Sequence, residues 1–469
     1  MKWMNSPFIF IIISGLFLQS CLSLKKYERP AELISETQYR TDNLSQDSIS
    51  MADLGYREIF KDVLLQNHIA QALENNIDIR VALENINISD AYVKQAKAAY
   101  FPNLQVGPGV TYQTQSMNTQ FGQIIGDRSH LMNYDISASA SWQADIWGKL
   151  KSAEKAQYAS YLQSVAAHQA VKSEIVAQIA SSYYRLLALD EQKRTTEETI
   201  LLREKSLETT QALKDAGVLT EVAVKQTEAL LLNHRAYLIE IENSIHILEN
   251  QISYLMGIPS QSIARSDMDQ QEIPTEIKLG VPASLLRNRP DVMAAEYGLI
   301  QAFEDWNFAH ANLYPSLNLS ANTGLQSVDL DKLFSVNSWF ATVAAGLTQP
   351  VLQQRRLKTQ KEVAEFQQEK ALLNFRKTLL LAGKEVSDAL HLYNSQDEFI
   401  ALKQLEYEQY FAATAFSQEL MNYGMANYLE VLTAQQNALN AQLAAIQAKF
   451  AQLNALVNLY NALGGGWKE

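Results

Sequence analysis

The sequence predicts a mixed fold: a transmembrane β-barrel to which each chain supplies four strands, continuous with a long α-helical coiled coil and built from two internal repeats. Three observations carry this. Four segments alternate apolar and polar residues at period two, very long stretches lack glycine and proline, and the whole pattern of helix, strands and long helices occurs twice. Internal repetition decides the reading of a chain, so it comes first.

Residues 1–20 read as a lipoprotein signal peptide. Lys2 gives a short basic start, and Phe8–Leu18 is an apolar run broken only by Ser14 and Gly15. That run is too short for a membrane-spanning helix, which takes about 20 apolar residues. It closes in Leu18-Gln19-Ser20-Cys21, a small residue directly before the chain's one cysteine. The pattern resembles a bacterial lipobox, implying cleavage before Cys21 and acylation of that cysteine. An ordinary signal peptide with an incidental cysteine is the competing reading. Several acyl chains anchor firmly where one does not, at about 0.8 kcal/mol per buried methylene. Leu22 follows rather than an aspartate, which fits outer-membrane sorting. Residues 21–55 are polar, lack strong periodicity, and are expected to form a loosely ordered tether. No later segment approaches the length of a membrane helix, so any crossing must be made by a β-barrel.

The first repeat, residues 56–260, opens with a helical stretch expected over Arg57–Ala98. Tyr100-Phe101-Pro102 stops it, because proline cannot continue a helix and extended chain follows. The second repeat, 261–469, has its counterpart over Pro282–Ala311, stopped by Leu313-Tyr314-Pro315. The strands come next. From Tyr134 to Asp145, Tyr134, Ile136, Ala138, Ala140, Trp142 and Ala144 share one face, and Asp135, Ser137, Ser139, Ser141, Gln143 and Asp145 the other. Leu317–Gln326 and Trp339–Leu347 repeat the alternation, and Leu104–Thr114 does so more weakly. These runs match the roughly 9–11 residues of a tilted transmembrane strand. A soluble half-buried sheet would show the same alternation.

Long helices follow the strands. No glycine or proline interrupts Lys149–Asp215, Val351–Leu381 or Lys384–Tyr423. At 1.5 Å per residue the first of these would reach roughly 100 Å. Each long helix ends near one glycine, Gly217 or Gly424, and a second helix runs back over Val218–Met256 or Met425–Leu463 to Gly257 or Gly464. Gly217 and Gly257 are spaced as Gly424 and Gly464 are, which is what duplication leaves behind. Leu238, Ile241, Ile245, Leu248, Ile252 and Leu255 form a three–four stripe, as do Leu439, Leu443, Ile446, Phe450, Leu453, Val457 and Tyr460. Such stripes are core seams of a coiled coil. Four strands cannot close a barrel, and open edges are not tolerated in lipid. Two chains would give eight strands with a filled interior; three would give 12 with a wider one, which suits a conduit.

The repeats resemble the TolC-like outer-membrane efflux factors, in particular their NodT-type lipoprotein branch. Leu285-Leu286-Arg287-Asn288-Arg289-Pro290-Asp291-Val292 with Ala295-Glu296 is similar to that branch's signature in the second repeat. Tyr423-Gly424, Asn427-Tyr428-Leu429, Val431-Leu432 and Ala434-Gln435 resemble its second periplasmic turn. Ala72-Leu73-Glu74-Asn75-Asn76 and Tyr27-Glu28-Arg29-Pro30 also fit. The resemblance covers nearly all of the chain after Cys21. It implies a homotrimer with a 12-stranded barrel on a periplasmic helical tunnel, docked to a periplasmic adaptor bound to an inner-membrane pump. Substrates would pass through unaltered, and the chain would be lipid-anchored in the outer membrane.

Candidate sites follow. The turns Lys214, Asp215, Gly217, Val218, Leu219, Thr220 and Asn422, Tyr423, Gly424, Met425, Ala426, Asn427 are the expected adaptor-contacting tips. Glycine there also serves simply to end a helix in the left-handed conformation. Leu429 lies one turn past the second tip, where the family narrows its pore; three copies would make an apolar ring that gates by dewetting. A packed coiled-coil leucine is the competing reading. Some relatives carry a carboxylate one turn further on, where this chain has Thr433. Enzyme chemistry is not expected. The seven histidines include no pair three or four apart, and no nucleophile elbow or phosphate loop occurs. Glu197 and Glu198, near Lys193 and Arg194, read as a solvated charged face. No cofactor is called for, and a formal charge of −12 argues against a nucleic-acid partner. A non-conducting coiled-coil lipoprotein spanning the periplasm is the rival function, though a mere spacer needs no strands.

Overall fold

The computed structural model describes residues 24–30, 50–126, 128, 130–272 and 284–468. Before the sheet lie α1 (Tyr56–Ile59), α2 (Val63–Asn75) and α3 (Ile77–Ala98). The first sheet segment comprises β1 (Asn103–Thr114), α4 (Gln120–Ile125) and β2 (His130–Ala144). The first long hairpin is α5 (Lys149–Asp215) and α6 (Glu221–Leu255). The second half runs α7 (Leu285–Asn288), α8 (Pro290–Ala311), β3 (Ser316–Ser327), β4 (Trp339–Thr348), α9 (Arg356–Asn422) and α10 (Tyr428–Ala462). Corresponding helices have equal lengths: 22 residues in α3 and α8, 67 in α5 and α9, 35 in α6 and α10.

Several expectations need correction. Arg57–Ala98 is three helices, not one. Asp62 caps α2 by accepting from the Leu64 N–H at 2.8 Å, and Asn76 caps α3 by accepting from Asp78 N–H at 2.9 Å and Ile79 N–H at 3.1 Å. These side chains satisfy helix-end donors that a continuous helix would not leave open. The second-repeat stretch is likewise split, with Pro290 as the first residue of α8, where its missing N–H costs nothing. Arg356–Asn422 is one helix through Gly383, and Val351–Arg355 lie outside it, with Gln354 and Arg355 at positive φ of 49° and 67°. Strand β2 starts at His130, ahead of the expected Tyr134. The return helices begin three residues later than expected, at Glu221 and Tyr428.

The four strands form one antiparallel sheet in the order β1-β2-β3-β4. In its register Val106 faces Ala138, Ala138 faces Thr323, and Ala321 faces Val343. Directly paired residues share a face. One face therefore carries Leu104, Val106, Val110, Ile136, Leu319, Ala321, Val343 and Leu347, and the other Gln105, Ser137, Ser139, Asn318, Ser320 and Asn322. Aromatic residues stand at both ends, Trp142 at one and Tyr112, Tyr134 and Trp339 at the other.

The chain divides into two compact units. Among the described residues, one takes those through Arg29 and within Asn87–Leu162 and Glu296–Leu373; the other takes those within Pro30–Ile86, Gln163–Ala295 and Asn374–Glu469. Each draws on both halves of the sequence. The first contains the sheet. There, residues 24–30 are packed rather than loose. Arg29 donates to both carboxylate oxygens of Glu296 at 2.6 and 2.7 Å, and Tyr27 meets Phe303 edge-on at 5.8 Å. The second unit holds the coiled-coil core. Ile241, Ile245, Ile252 and Leu255 of the first expected stripe are buried, as are Leu439, Ile446, Leu453, Val457 and Tyr460 of the second. Leu238, Leu248, Leu443 and Phe450 are half-buried.

Candidate functional site

The first tip closes a helix in a glycine turn. Gly217 has φ 78°; its N–H donates to Lys214 O at 2.9 Å, and Val218 N–H to Leu213 O at 2.8 Å. The second repeats this at Gly424, φ 70°, with Gly424 N–H to Met421 O at 3.0 Å and Met425 N–H to Leu420 O at 2.9 Å. This paired bonding satisfies carbonyls that a helix end leaves open, and the left-handed residue makes it possible. Val218, Tyr423 and Met425 are exposed, while Leu219 and Ala426 are half-buried. Lys214 lies 3.1 Å from Glu221 and 3.7 Å from Asp215 across the first turn. Thr220 and Asn427 each precede a return helix; only Asn427 caps through its side chain, accepting from Glu430 N–H at 3.0 Å. The two turns belong to one end of their unit, since the hydroxyls of Thr227 and Tyr428 meet at 2.7 Å.

Leu429 is 60% exposed in the single chain, whereas Val431 and Leu432 just beyond it are buried. It is therefore not a core residue of its own protomer. Thr433, one turn beyond Leu429, is exposed, and its neutral hydroxyl donates to Leu429 O at 2.8 Å. Cys21 lies outside the described residues.

Sequence reasoning missed a polar seam leading toward the tips. Thr196, Arg203 and Thr210, seven residues apart on α5, are all buried. Arg203 donates to Gln435 at 2.5 Å, and its Nη2 has no hydrogen-bond partner. Burial pushes its guanidinium below the ordinary arginine range. The neighbouring His234 is also buried and held low, by burial first and then by the Arg203 charge. Heptad spacing of polar residues was the available signal. Two of the quoted motifs act as packing devices. Asn76 donates to Leu255 O and Arg289 to Ala462 O, both at 2.8 Å, at matching places in the two repeats. Arg289 also reaches Asp291 at 2.6 Å and Glu385 at 2.7 Å. Burial works against its charge, but these carboxylates prevail and hold it above the ordinary range. Among the described residues no cluster of metal-ligating side chains occurs, and no helix is long and apolar enough to cross a membrane.

Comparison with known proteins places this geometry. The sequence profile of the outer membrane efflux protein family matches residues 68–258 and 281–465. A probable outer membrane lipoprotein, SilC of Salmonella typhimurium, is 27% identical over 461 residues, covering 97% of this chain and 98% of that protein. The solvent efflux pump outer membrane protein SrpC of Pseudomonas putida is 26% identical over 477 residues, covering 100% and 99%. Among solved structures, the open state of the MtrE outer membrane channel of Neisseria gonorrhoeae superimposes with a TM-score of 0.83 at 24% identity, covering 95% of this chain and 98% of that one. The OprN outer-membrane channel gives 0.85 at 22% identity, covering 95% and 99%. The chain belongs to the outer membrane efflux protein family. It is an outer-membrane channel component of a tripartite efflux system, with a large periplasmic part. Proteins of this family form trimeric channels that pair with an adaptor and an inner-membrane pump.

Proposed function

We propose that three copies of this chain close a 12-stranded barrel and conduct efflux substrates passively across the outer membrane. The two-faced sheet carries this reading. Its apolar face suits lipid, its polar face a water-filled lumen, and its aromatic ends the two interfaces. Among the described residues neither edge of the sheet has a strand partner, and closure against other copies supplies one. On this reading the chain is a signal peptide over 1–20, a tether over 21–55 and two duplicated repeats over 56–260 and 261–469. Cys21 is the acylated mature N-terminus. The turns around Gly217 and Gly424 meet the helical hairpins of an adaptor, their exposed Val218, Tyr423 and Met425 supplying apolar contact. Leu429, exposed in one protomer, faces its copies across the axis as the apolar constriction. The relatives are named for solvent, antibiotic and cation efflux, and the passive duct leaves that choice to the pump.

Thiol labelling in cells tests the sheet. Ser320→Cys in a Cys21→Ser background should react with a small water-soluble maleimide, and Val343→Cys should be protected. Equal labelling of both positions would remove the lipid-facing wall and with it the barrel.

A further inference from the structure

Helix α8 ends at Ala311 and β3 begins at Ser316, so the last turns of α8 lead directly into the sheet. Phe303, Trp306 and His310 follow one another at helical spacing there, and the Trp306 and His310 rings are stacked at 5.2 Å and 4°. The ammonium of Lys25 lies 5.0 Å from the Trp306 ring centre and that of Lys361 lies 5.7 Å from it. Alongside is a cavity of about 410 Å³ lined by Lys25, Phe303, Trp306, Glu365, Phe366 and Glu369. Among the described residues none of Lys25, Lys361, Glu365 and Glu369 forms an ion pair, although the chain pairs many of its other charges. Trp306 Nε1 and His310 Nδ1 are buried with no hydrogen-bond partner.

Lys25, Glu365 and Glu369 in the cavity wall, with Lys361 beside the same Trp306 ring, bring both charge signs to an aromatic floor and complement a zwitterion. We propose that this cavity binds the phosphoethanolamine headgroup of a membrane phospholipid. Lys25 and Lys361 donate to the phosphate oxygens, and Glu365 and Glu369 accept from the primary ammonium. The indole and phenyl rings cover the glycerol end. Position supports a membrane lipid: only residues 312–315 separate α8 from β3, and on the proposed reading the sheet spans the bilayer. Lys25 is also within about 14 Å of Cys21 along extended chain. The site rests on the sheet spanning the membrane and not on acylation of Cys21.

The full chain, purified in detergent and stripped of lipid, would be offered equimolar phosphatidylethanolamine, phosphatidylglycerol and phosphatidylcholine with identical acyl chains. Native mass spectrometry then counts the lipids retained. Phosphatidylethanolamine should be retained roughly tenfold over the other two, the ratio expected from one charge-assisted contact. Lys25→Ala/Lys361→Ala should lower retention of all three lipids, whose phosphate they share, and Glu365→Gln/Glu369→Gln should erase the advantage of phosphatidylethanolamine over phosphatidylglycerol. If the double lysine variant does not fold, Lys361→Gln alone is read, with a partial loss expected. Equal retention of the three lipids by the unaltered protein, or no effect of the lysine changes, overturns the proposal and leaves the cavity as surface covered by another copy. Equally tight binding of soluble glycerophosphoethanolamine would overturn the membrane as its source. Channel conductance is a separate readout, so the headgroup site and the duct fail independently.

Discussion

Four glycines end four long helices, and two of them live in a different world from the other two. Gly217 and Gly424 at the tips, and Gly257 and Gly464 at the opposite ends of the return helices, all have φ between 69° and 94°. At the tips an added Cβ meets nothing within 4 Å. At Gly257 it would lie under 3 Å from the Asn75 carbonyl oxygen, and at Gly464 under 3 Å from that of Asn288. The same turn is thus used once as a free end and once as a buried joint. Backbone conformation demands glycine at all four; packing demands it only at the joints.

The largest expected effect breaks a joint. Gly257→Ala or Gly464→Ala adds left-handed strain to a backbone clash that no side-chain rotation relieves, and should cost about 3–5 kcal/mol. Denaturant melts of the detergent-solubilised trimer check it. A second effect sharpens the comparison with pH. Asp62, in the same unit as the joints, accepts hydrogen bonds from Tyr183 at 2.7 Å, Gln271 at 2.9 Å and Ser266. Burial pushes its carboxyl up, but these bonds outweigh burial and hold it below the ordinary carboxylate range. Its contribution is therefore complete above the unfolded value near pH 4 and is lost as pH falls through the lower folded value. Asp62→Asn should cost about 1–2 kcal/mol at neutral pH and flatten the loss of stability below about pH 4. An acid limb unchanged by the substitution would show that other carboxylates govern it. The smallest stability effect belongs to the tips. Gly217→Ala or Gly424→Ala should cost only about 1–2 kcal/mol, the strain alone. A tip variant as damaging as Gly464→Ala would erase the distinction between free end and joint.

Local punctuation explains what could be read in advance. Helix α5 was legible at both ends because Gly148 and Gly217 bracket it, and the faces of β2, β3 and β4 because alternation needs only neighbouring residues. Helix α9 was not, since nothing in Val351–Arg355 announces two residues at positive φ. Gly383 also does not break it: Ala382 and Gly383 are buried, and packing overrides the roughly 1 kcal/mol that glycine costs in a helix. The motif around Arg289 could be quoted but not interpreted, because its acceptors Ala462 and Glu385 lie far along the chain. The tips were visible as glycine turns, whereas the exposure of Leu429 emerges only when α10 is packed.

Single-channel recording in planar bilayers tests the duct most directly. The unaltered protein should insert and give small, mostly closed steps if, as proposed, three Leu429 side chains form a ring that excludes water by bulk alone. Leu429→Ala should raise the resting conductance with little loss of stability. Leu453→Ala, at a fully buried leucine of the α10 core stripe, is the control. It should cost about 2–5 kcal/mol and leave the resting conductance unchanged. If inserted, folded trimers of all three proteins pass no current, the chain is a spacer and not a channel. If all conduct alike, the constriction lies elsewhere than Leu429.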